Sequence, residues 1–441
     1  MGKHFAHTAM ALGMAIIGSA PAWSRTGAAV SNNQTDVQSD ATASLYQEER
    51  DRADLLRSSK VIFVNGDEGS RADRDSVESM LAQFYYDQFR SSHDPEAPIF
   101  TFMSKDANLA MGIGGIGVVS GWFDWNGMVE GGNFNVYNIM MPKTPEAMKN
   151  LGAGVSGTKL FFNIMGRHTP IGNFRAYIEA GFSGYNQRDF QLKKAWFQIS
   201  DFTVGLASST FSDAAAEPDV MDPAGANGKI GKSNILVRYM KTWRNRWTVA
   251  ASVEFPNSQP MEIANQTKKV RDYVPDIATF GQLQWDRGFS HVRLAALLRD
   301  MSYRDLISQR NRHTVGWGIQ LSSVVRAGNF LTLYAMGSVG QGIASYTGDL
   351  SNGHNDLLPT PEVSGKLYAP TTVSVTAGAK AQFTSKLSST VCLSTLRHSP
   401  PLSYLFFSFS LFYPPPTPPH PPPPPPPARA RARAHTHTHT H

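Results

Sequence analysis

From about residue 99 to 390 the chain alternates apolar and polar residues with a period of two. In NFRAYIEAGFSG (173–184), Phe174, Ala176, Ile178, Ala180 and Phe182 share one face, opposite Arg175, Tyr177, Glu179 and Ser183. In WTVAASVEF (247–255), Trp247, Val249, Ala251, Val253 and Phe255 alternate with Thr248, Ala250, Ser252 and Glu254. HVRLAALLR (291–299) sets Val292, Leu294, Ala296 and Leu298 against His291, Arg293 and Arg299. The segment 373–383 sets Val373, Val375, Ala377, Ala379, Ala381 and Phe383 against Ser374, Thr376, Lys380 and Gln382. Segments near 107–125, 130–138, 156–167, 190–211, 234–243, 277–286 and 312–340 repeat the rhythm. Together they predict about fourteen strands of roughly ten residues, punctuated by Gly, Asn, Asp and Pro turns. Strands of that length, with aromatics near their ends (Trp122, Trp125, Trp243, Trp247, Trp285, Phe289), predict an antiparallel transmembrane β-barrel. A soluble β-sandwich is the competing architecture, but its strands are usually shorter and its inner face richer in Leu, Ile and Val. The many Ala and Gly on the apolar face suit a lipid-facing wall.

Ahead of the strands the period is 3.6. Asp75 and Glu78 have capping-box spacing, and Val77, Met80, Leu81, Phe84, Tyr85 and Phe89 fall on one helical face. Residues 25–98 therefore read as a polar linker followed by a short amphipathic helix. Residues 1–24 read as an export signal: a basic start at Lys3, the apolar run 9–18, and small residues at 19–22. That run is shorter than the ~20 residues a spanning helix needs. An exported chain of this kind enters a membrane as a barrel or not at all.

Composition narrows the chemistry. The formal net charge is +6, but residues 391–441 contribute four arginines and no acid, leaving +2 on residues 1–390. So the sequence pI of 9.2 is no argument for a nucleic-acid partner. The one cysteine, Cys392, precludes a disulfide framework. GIGGIG (112–117) fits a dinucleotide fingerprint but runs into the alternating VVSGWFDW rather than a helix, so the glycines are expected to ease close strand approach. No nucleophile elbow, zinc-protease motif or paired cysteines occur, and no enzyme activity, cofactor or metal is expected.

The rhythm breaks at ASSTFSDAAAEPDVMDPAGANGKI (207–230), which is rich in Ala, Pro, Asp and Gly. A long loop in a barrel is either a solvated surface loop or a segment folded into the lumen. FMSKDANLAMGIGG (102–115) followed by GWFDW, then RAYIEAGFSG, then GLASSTFSDAAAEPDVMDPAG, resembles the DcaP-type outer-membrane porins over about residues 75–390. The resemblance implies a sixteen-stranded trimeric channel for small anionic solutes in the bacterial outer membrane, with a periplasmic helical N-terminus. It also implies that 207–232 is an inward constriction loop, with Phe211, Asp213, Glu217, Asp222 and Gly225 at the constriction. The alternation independently assigns residues to the lumen. If apolar residues face lipid, Lys159, Arg167, Arg175, Lys194, Arg238, Arg293, Arg299 and Lys380 face inwards with Glu179, Glu254 and Asp286. That excess of cations favours anions unless the charges pair across strands and cancel. A structural or adhesive barrel with a plugged lumen is the alternative function.

The C-terminal segment differs in kind. It holds 14 of the 28 prolines and six of the 13 histidines, and ends ARARARAHTHTHTH. Such repeats are what simple-repeat DNA encodes. Residues 391–441 therefore read as a low-complexity, non-native tail that replaces the last strands, with 99–390 as an incomplete barrel of about 13–14 strands. On that reading, the chain as written is expected not to assemble into a working porin.

Overall fold

The computed structural model describes residues 60–64, 80, 100–104, 106–125, 148–155, 157–183, 189–220, 225–244, 246–286, 290–328, 330–351, 353–360, 363–384 and 387–399. The strands are β1 (Lys60–Val64), β2 (Phe100–Ser104), β3 (Leu109–Ile116), β4 (Ser120–Asp124), β5 (Asn150–Gly154), β6 (Lys159–Thr169) and β7 (Gly172–Ser183). Then follow β8 (Asp189–Ile199), β9 (Phe202–Ser208), β10 (Ser233–Trp243), β11 (Trp247–Glu254), β12 (Thr267–Lys269), β13 (Asp276–Trp285) and β14 (Ser290–Asp305). The last are β15 (Arg310–Ala327), β16 (Leu331–Gln341), β17 (Leu358–Pro359), β18 (Leu367–Tyr368), β19 (Thr371–Gln382) and β20 (Ser388–Ser399).

One large sheet takes nearly all of them, in the order β1-β2-β3-β6-β7-β8-β9-β10-β11-β13-β14-β15-β16-β19-β20, with β12 added beside β14. Only β1 joins in parallel, so fourteen strands of that path form an antiparallel meander among the described residues. No pairing among the described residues joins β20 back to β1. The predicted helix at 75–90 lies outside the described residues except for the helical Met80.

Two expected boundaries move. Within the segment expected to be linker and helix, KVIFV forms β1 against β2, because a β-branched and aromatic run suits a pleated edge. At the other end, alternation does not stop at 390. β20 runs to Ser399 in unbroken register with β19, from Gln382↔Ser388 to Thr371↔Ser399. Val391 and Leu393 are exposed on one face, and Cys392, Ser394 and Leu396 lie on the other. Small hydroxyl residues in VCLSTLRHS hide this period, since Ser and Thr fit either face.

One face of the sheet is apolar and exposed. Ile178, Val249, Val253, Leu294 and Leu298, all expected on the outer wall, are about half exposed, and Phe174 is partly exposed. β11 repeats exposed-buried without a fault along its length, as does β13 in the opposite phase. A one-residue slip would move every such side chain to the other face, so the pattern fixes the register. On β15 the apolar set of this face runs from the exposed Val315, Trp317, Ile319 and Leu321 to the half-buried Val325. Ten residues at ~3.3 Å span ~33 Å along the strand, or ~25 Å in height at a ~40° tilt, the height of a barrel's lipid band.

The connections are polarised. β6–β7, β8–β9, β10–β11, β13–β14, β15–β16 and β19–β20 turn within a few residues. Left-handed residues close several of these turns: Ser200 (φ 50), Arg244 (φ 48) and Asp286 (φ 50). The opposite end carries 209–232, 255–275 and 342–370. Exposed aromatics mark the short-turn end: Trp243 opposite Trp247, Trp285, Phe202 beside Tyr239 at 5.1 Å, and Phe330 beside Phe383 at 5.7 Å. The GIGGIG glycines sit in and just beyond β3. A Cβ on Gly114 would strike the Phe161 ring of β6 and one on Gly115 would strike Leu160, so these two glycines serve close strand packing.

Candidate constriction and lumen-facing residues

The segment after β9 folds onto the sheet's inner face. Its first anchor is Glu254, fully buried at the end of β11. This carboxylate accepts hydrogen bonds from Ser209 Oγ (2.9 Å), the Thr210 backbone N–H (2.8 Å), Asn234 Nδ2 (2.9 Å) and Ser252 Oγ (2.9 Å). A carboxylate can be buried at tolerable cost only when its lone pairs are filled in this way.

Asp213 is the second anchor. Its Oδ2 meets His291 Nε2 at 2.9 Å, accepts from Ser322 Oγ at 2.5 Å and lies 3.7 Å from Arg293 Nε. Burial pushes its pKa up. The charges of Arg293 and His291 and the bonds from His291 and Ser322 outweigh that, holding the carboxyl well below the usual range. Arg293 also donates to the Ser212 carbonyl (3.0 Å), chelates Gln282 Oε1 (2.6 and 2.9 Å) and covers the Phe280 ring at 4.2 Å.

Between the anchors Phe211 is fully buried with Ala216, Ile230, Ala250, Ala278, Phe280, Ala295, Leu297, Val324, Met336, Ile343 and Tyr346. Small residues of the wall make room at particular points. A Cβ on Gly318 would stand 3.0 Å from Phe211 Cζ and 3.1 Å from Ile343 Cγ2, and one on Gly378 would press Pro218 at 2.6 Å. Farther along, Glu217 pairs with Lys229 at 2.7 Å, Lys380 Nζ donates to Asp219 at 2.5 Å, and the Gly228 N–H donates to Ser394 Oγ of β20. Gly225 has φ +76, and a side chain there would collide with the Glu217–Lys229 pair.

A second inserted segment was not foreseen from the sequence. After β16, residues 343–357 turn inwards. Tyr346 packs edge-on to Phe211 at 5.9 Å, donates to Asp276 (3.0 Å) and accepts from Asn234 (3.0 Å). Arg299 holds this segment: Nη1 donates to the Gly342 carbonyl at 2.8 Å and lies 3.3 Å from Asp356, while Nε lies 3.4 Å from Asp276. Lys232 meets Ser345 Oγ at 3.2 Å and stands over the Tyr346 ring at 4.4 Å. The missed signal was the break in alternation at QGIASYTGDLSNGHND, a long interruption of the same kind as 207–230.

The expected lumen residues divide into two groups. Arg293 and Arg299 are fully buried, acid-paired and bound to inserted segments, and Lys380 is tied to Asp219. Elsewhere, Lys159 and Arg167 share the inward phase of β6 with Phe161 and Asn163. Arg175 Nε donates to Asn163 Oδ1 at 3.1 Å, and Lys194 lies 3.7 Å from Glu179. Arg238 Nη1 donates to the Ser208 carbonyl (3.2 Å) while its buried Nε has no partner. Asp286 occupies a turn, and Asp222 lies outside the described residues. Cross-strand and loop pairing therefore takes up much of the predicted positive excess.

An antiparallel meander with an apolar outer face, short turns at one end and long connections folded onto its inner face has the fold of an outer-membrane channel wall. One solved structure shares the fold. The outer membrane channel DcaP of Acinetobacter baumannii superposes with a TM-score of 0.54 at 17% identity, covering 68% of this chain and 81% of that one. An anion-selective porin from Comamonas acidovorans reaches a TM-score of only 0.31 at 11% identity, covering 66% of this chain and 90% of that one. No protein-family model matches, and no curated protein matches significantly.

Proposed function

We propose that the chain is an outer-membrane porin, a passive diffusion channel for small anionic solutes that works as a homotrimer in outer-membrane lipid. The observation that carries this reading is the docking of 209–232 onto the inner face of a sheet whose other face is an apolar band. A soluble protein leaving such a band exposed would aggregate, and a segment fixed across the inner face is what narrows a pore. The solved channel of the same fold adds its weight to a transport role. Anion preference rests on Arg175, Arg238, Lys159 and Arg167, which share the inner face.

Planar-bilayer recording tests the proposal. With a C-terminus that closes the barrel, the protein should give ohmic conductance and, in a salt gradient, a reversal potential of anionic sign that Arg175→Gln and Arg238→Gln together move towards zero. A barrel whose inserted segments 209–232 and 343–357 plug the lumen gives no conductance, and that outcome selects a structural role.

A further inference from the structure

β14 and β15 are the longest strands, and they rise past the apolar band at the long-connection end. There β12 adds a third strand, with Lys268 directly opposite Arg304 and Arg304 opposite Asn311. Directly opposed residues share a face, and Arg304 has the phase of Leu294 and Leu298, so this is the outer, lipid-side face. Two cations opposed across a ladder repel each other. Neutral acceptors, not acids, hold the arginine: Nη1 bonds Asn311 Oδ1 and Nη2 bonds Gln309 Oε1, both at 3.2 Å. Asp305, on the opposite phase, is engaged by Arg312 at 2.8 Å, and Asp300 lies 3.3 Å from His313. Among the described residues no acid pairs with Lys268, Arg304, or the exposed Arg271 and Arg310 nearby.

Height completes the argument. Val315, at the top of the apolar band, opposes Asp300, and Arg304 lies four residues farther along β14. Four residues are ~13 Å of strand, or ~10 Å of height at a ~40° tilt. Long cationic side chains reach down from that level to headgroups. Tyr273, 72% exposed and edge-on to His313 at 5.2 Å, stands in the same region as an interfacial aromatic.

We infer that Lys268 and Arg304, braced by Gln309 and Asn311, form a binding site on the outer wall for the phosphate of a phosphorylated lipid headgroup. The inference rests on the membrane placement proposed above, but not on conduction. A phosphate between the two side chains turns their repulsion into two charge-assisted hydrogen bonds.

The test uses the full chain in detergent, incubated with bisphosphorylated lipid A, its dephosphorylated form, or inorganic phosphate, and read by native mass spectrometry alongside thermal unfolding. The phosphorylated lipid should be retained, and the same concentration of inorganic phosphate should not displace it. The double variant Lys268→Gln/Arg304→Gln should lose retention at least tenfold, whereas Lys241→Gln at the short-turn end should not. Without lipid the double variant should melt close to the parent, since the two hydrogen bonds it loses are offset by the repulsion it removes. Equal retention of the dephosphorylated lipid, displacement by inorganic phosphate, or retention unchanged in the double variant overturns the site. A chain that conducts but retains lipid equally with and without these two cations fails this inference alone. One that retains lipid through them but does not conduct fails the channel reading alone.

Discussion

The inner face of β11–β16 packs against inserted segments, whereas the buried cluster on β6–β10 is made of wall residues alone. Under the inserted segments the wall mixes small residues (Ala250, Ala278, Ala295, Gly318) with Phe280, Leu297, Val324 and Met336, and Phe211, Ile343 and Tyr346 pack onto it from above. On β6–β10 the wall supplies its own bulk. Phe161, Tyr177 and Trp196 lie side by side, with ring centroids 5.9 and 5.5 Å apart, beside Ala207 and Leu236. Charge follows the same division. Arg293 and Arg299 of the first region anchor the inserted segments, whereas Lys194 of the second keeps part of its side chain exposed beside Glu179. An inward-facing arginine in a barrel sequence can thus have either of two jobs, and only its neighbours tell which.

The largest effect expected from this contrast comes from Arg293→Met. It leaves Asp213 buried without its guanidinium and removes the bond to the Ser212 carbonyl, a loss of ~3–5 kcal/mol by analogy with broken buried pairs. The inserted segment should come loose, with trypsin cutting at Lys229 and Lys232 and channel conductance rising. Arg175→Met, on the self-packed side, should shift selectivity without exposing those sites. If the two variants are cut alike, the division into anchors and lining residues is wrong.

Much of this was legible from the alternation alone. Val249, Val253, Leu294 and Leu298 lie exposed on one face and Arg175, Glu254, Arg293 and Arg299 buried on the other, because a period of two leaves no third option once one face is apolar. What alternation could not supply was the partner of each inward residue. Asp213 meets His291 and Ser322 across 78 and 109 residues of sequence, and Tyr346 meets Asn234 across 112. Nor could it distinguish alanines chosen for lipid from those chosen for room. Ala251 and Ala296 are outward, while Ala250, Ala278 and Ala295 lie beneath the inserted Phe211. β20 was lost for a related reason: Ser and Thr carry no face preference strong enough to show a period.

Filling the room under the loop is the next test in size. Gly318→Val puts methyls where Phe211 and Ile343 now sit, and overpacking of this kind costs ~1–3 kcal/mol. Trypsin sensitivity should rise as for Arg293→Met but less, with the wall's own thermal transition little changed. Ala207→Val beside the Trp196 stack should instead act on the wall and leave the loop protected. A Gly318→Val protein whose loop stays resistant would mean that Phe211 does not set the docking.

Acid should affect the loop late. Asp213 titrates below the ordinary carboxylate range, so its contribution is complete above the unfolded value near ~3.9 and is lost only as pH falls through the lower folded value. Open-channel noise and conductance should therefore be flat from pH 7 down to about 4. A loosening with a midpoint near an ordinary aspartate value would show that the His291–Ser322–Arg293 cage does not hold the charged form.

The smallest expected effect lies on the alkaline side and concerns Lys232, at the seam between the two inserted segments. Burial, aided by the charge of Arg299 and opposed by Asp356, Asp276 and Glu254, brings its pKa down to about 8. Arg299 stays charged throughout, so only one cation is lost as pH rises past that value. Anion preference should fall modestly between pH 7 and 9 and be flat in Lys232→Met. Stability should move the other way. Between about 8 and the unfolded value near ~10.4, the unfolded chain binds the proton that the folded chain has released, so docking strengthens as pH rises. Selectivity and loop protection changing in opposite directions across one pH window is a signature that general alkaline loosening cannot produce. If both fall together, Lys232 is not the group that titrates.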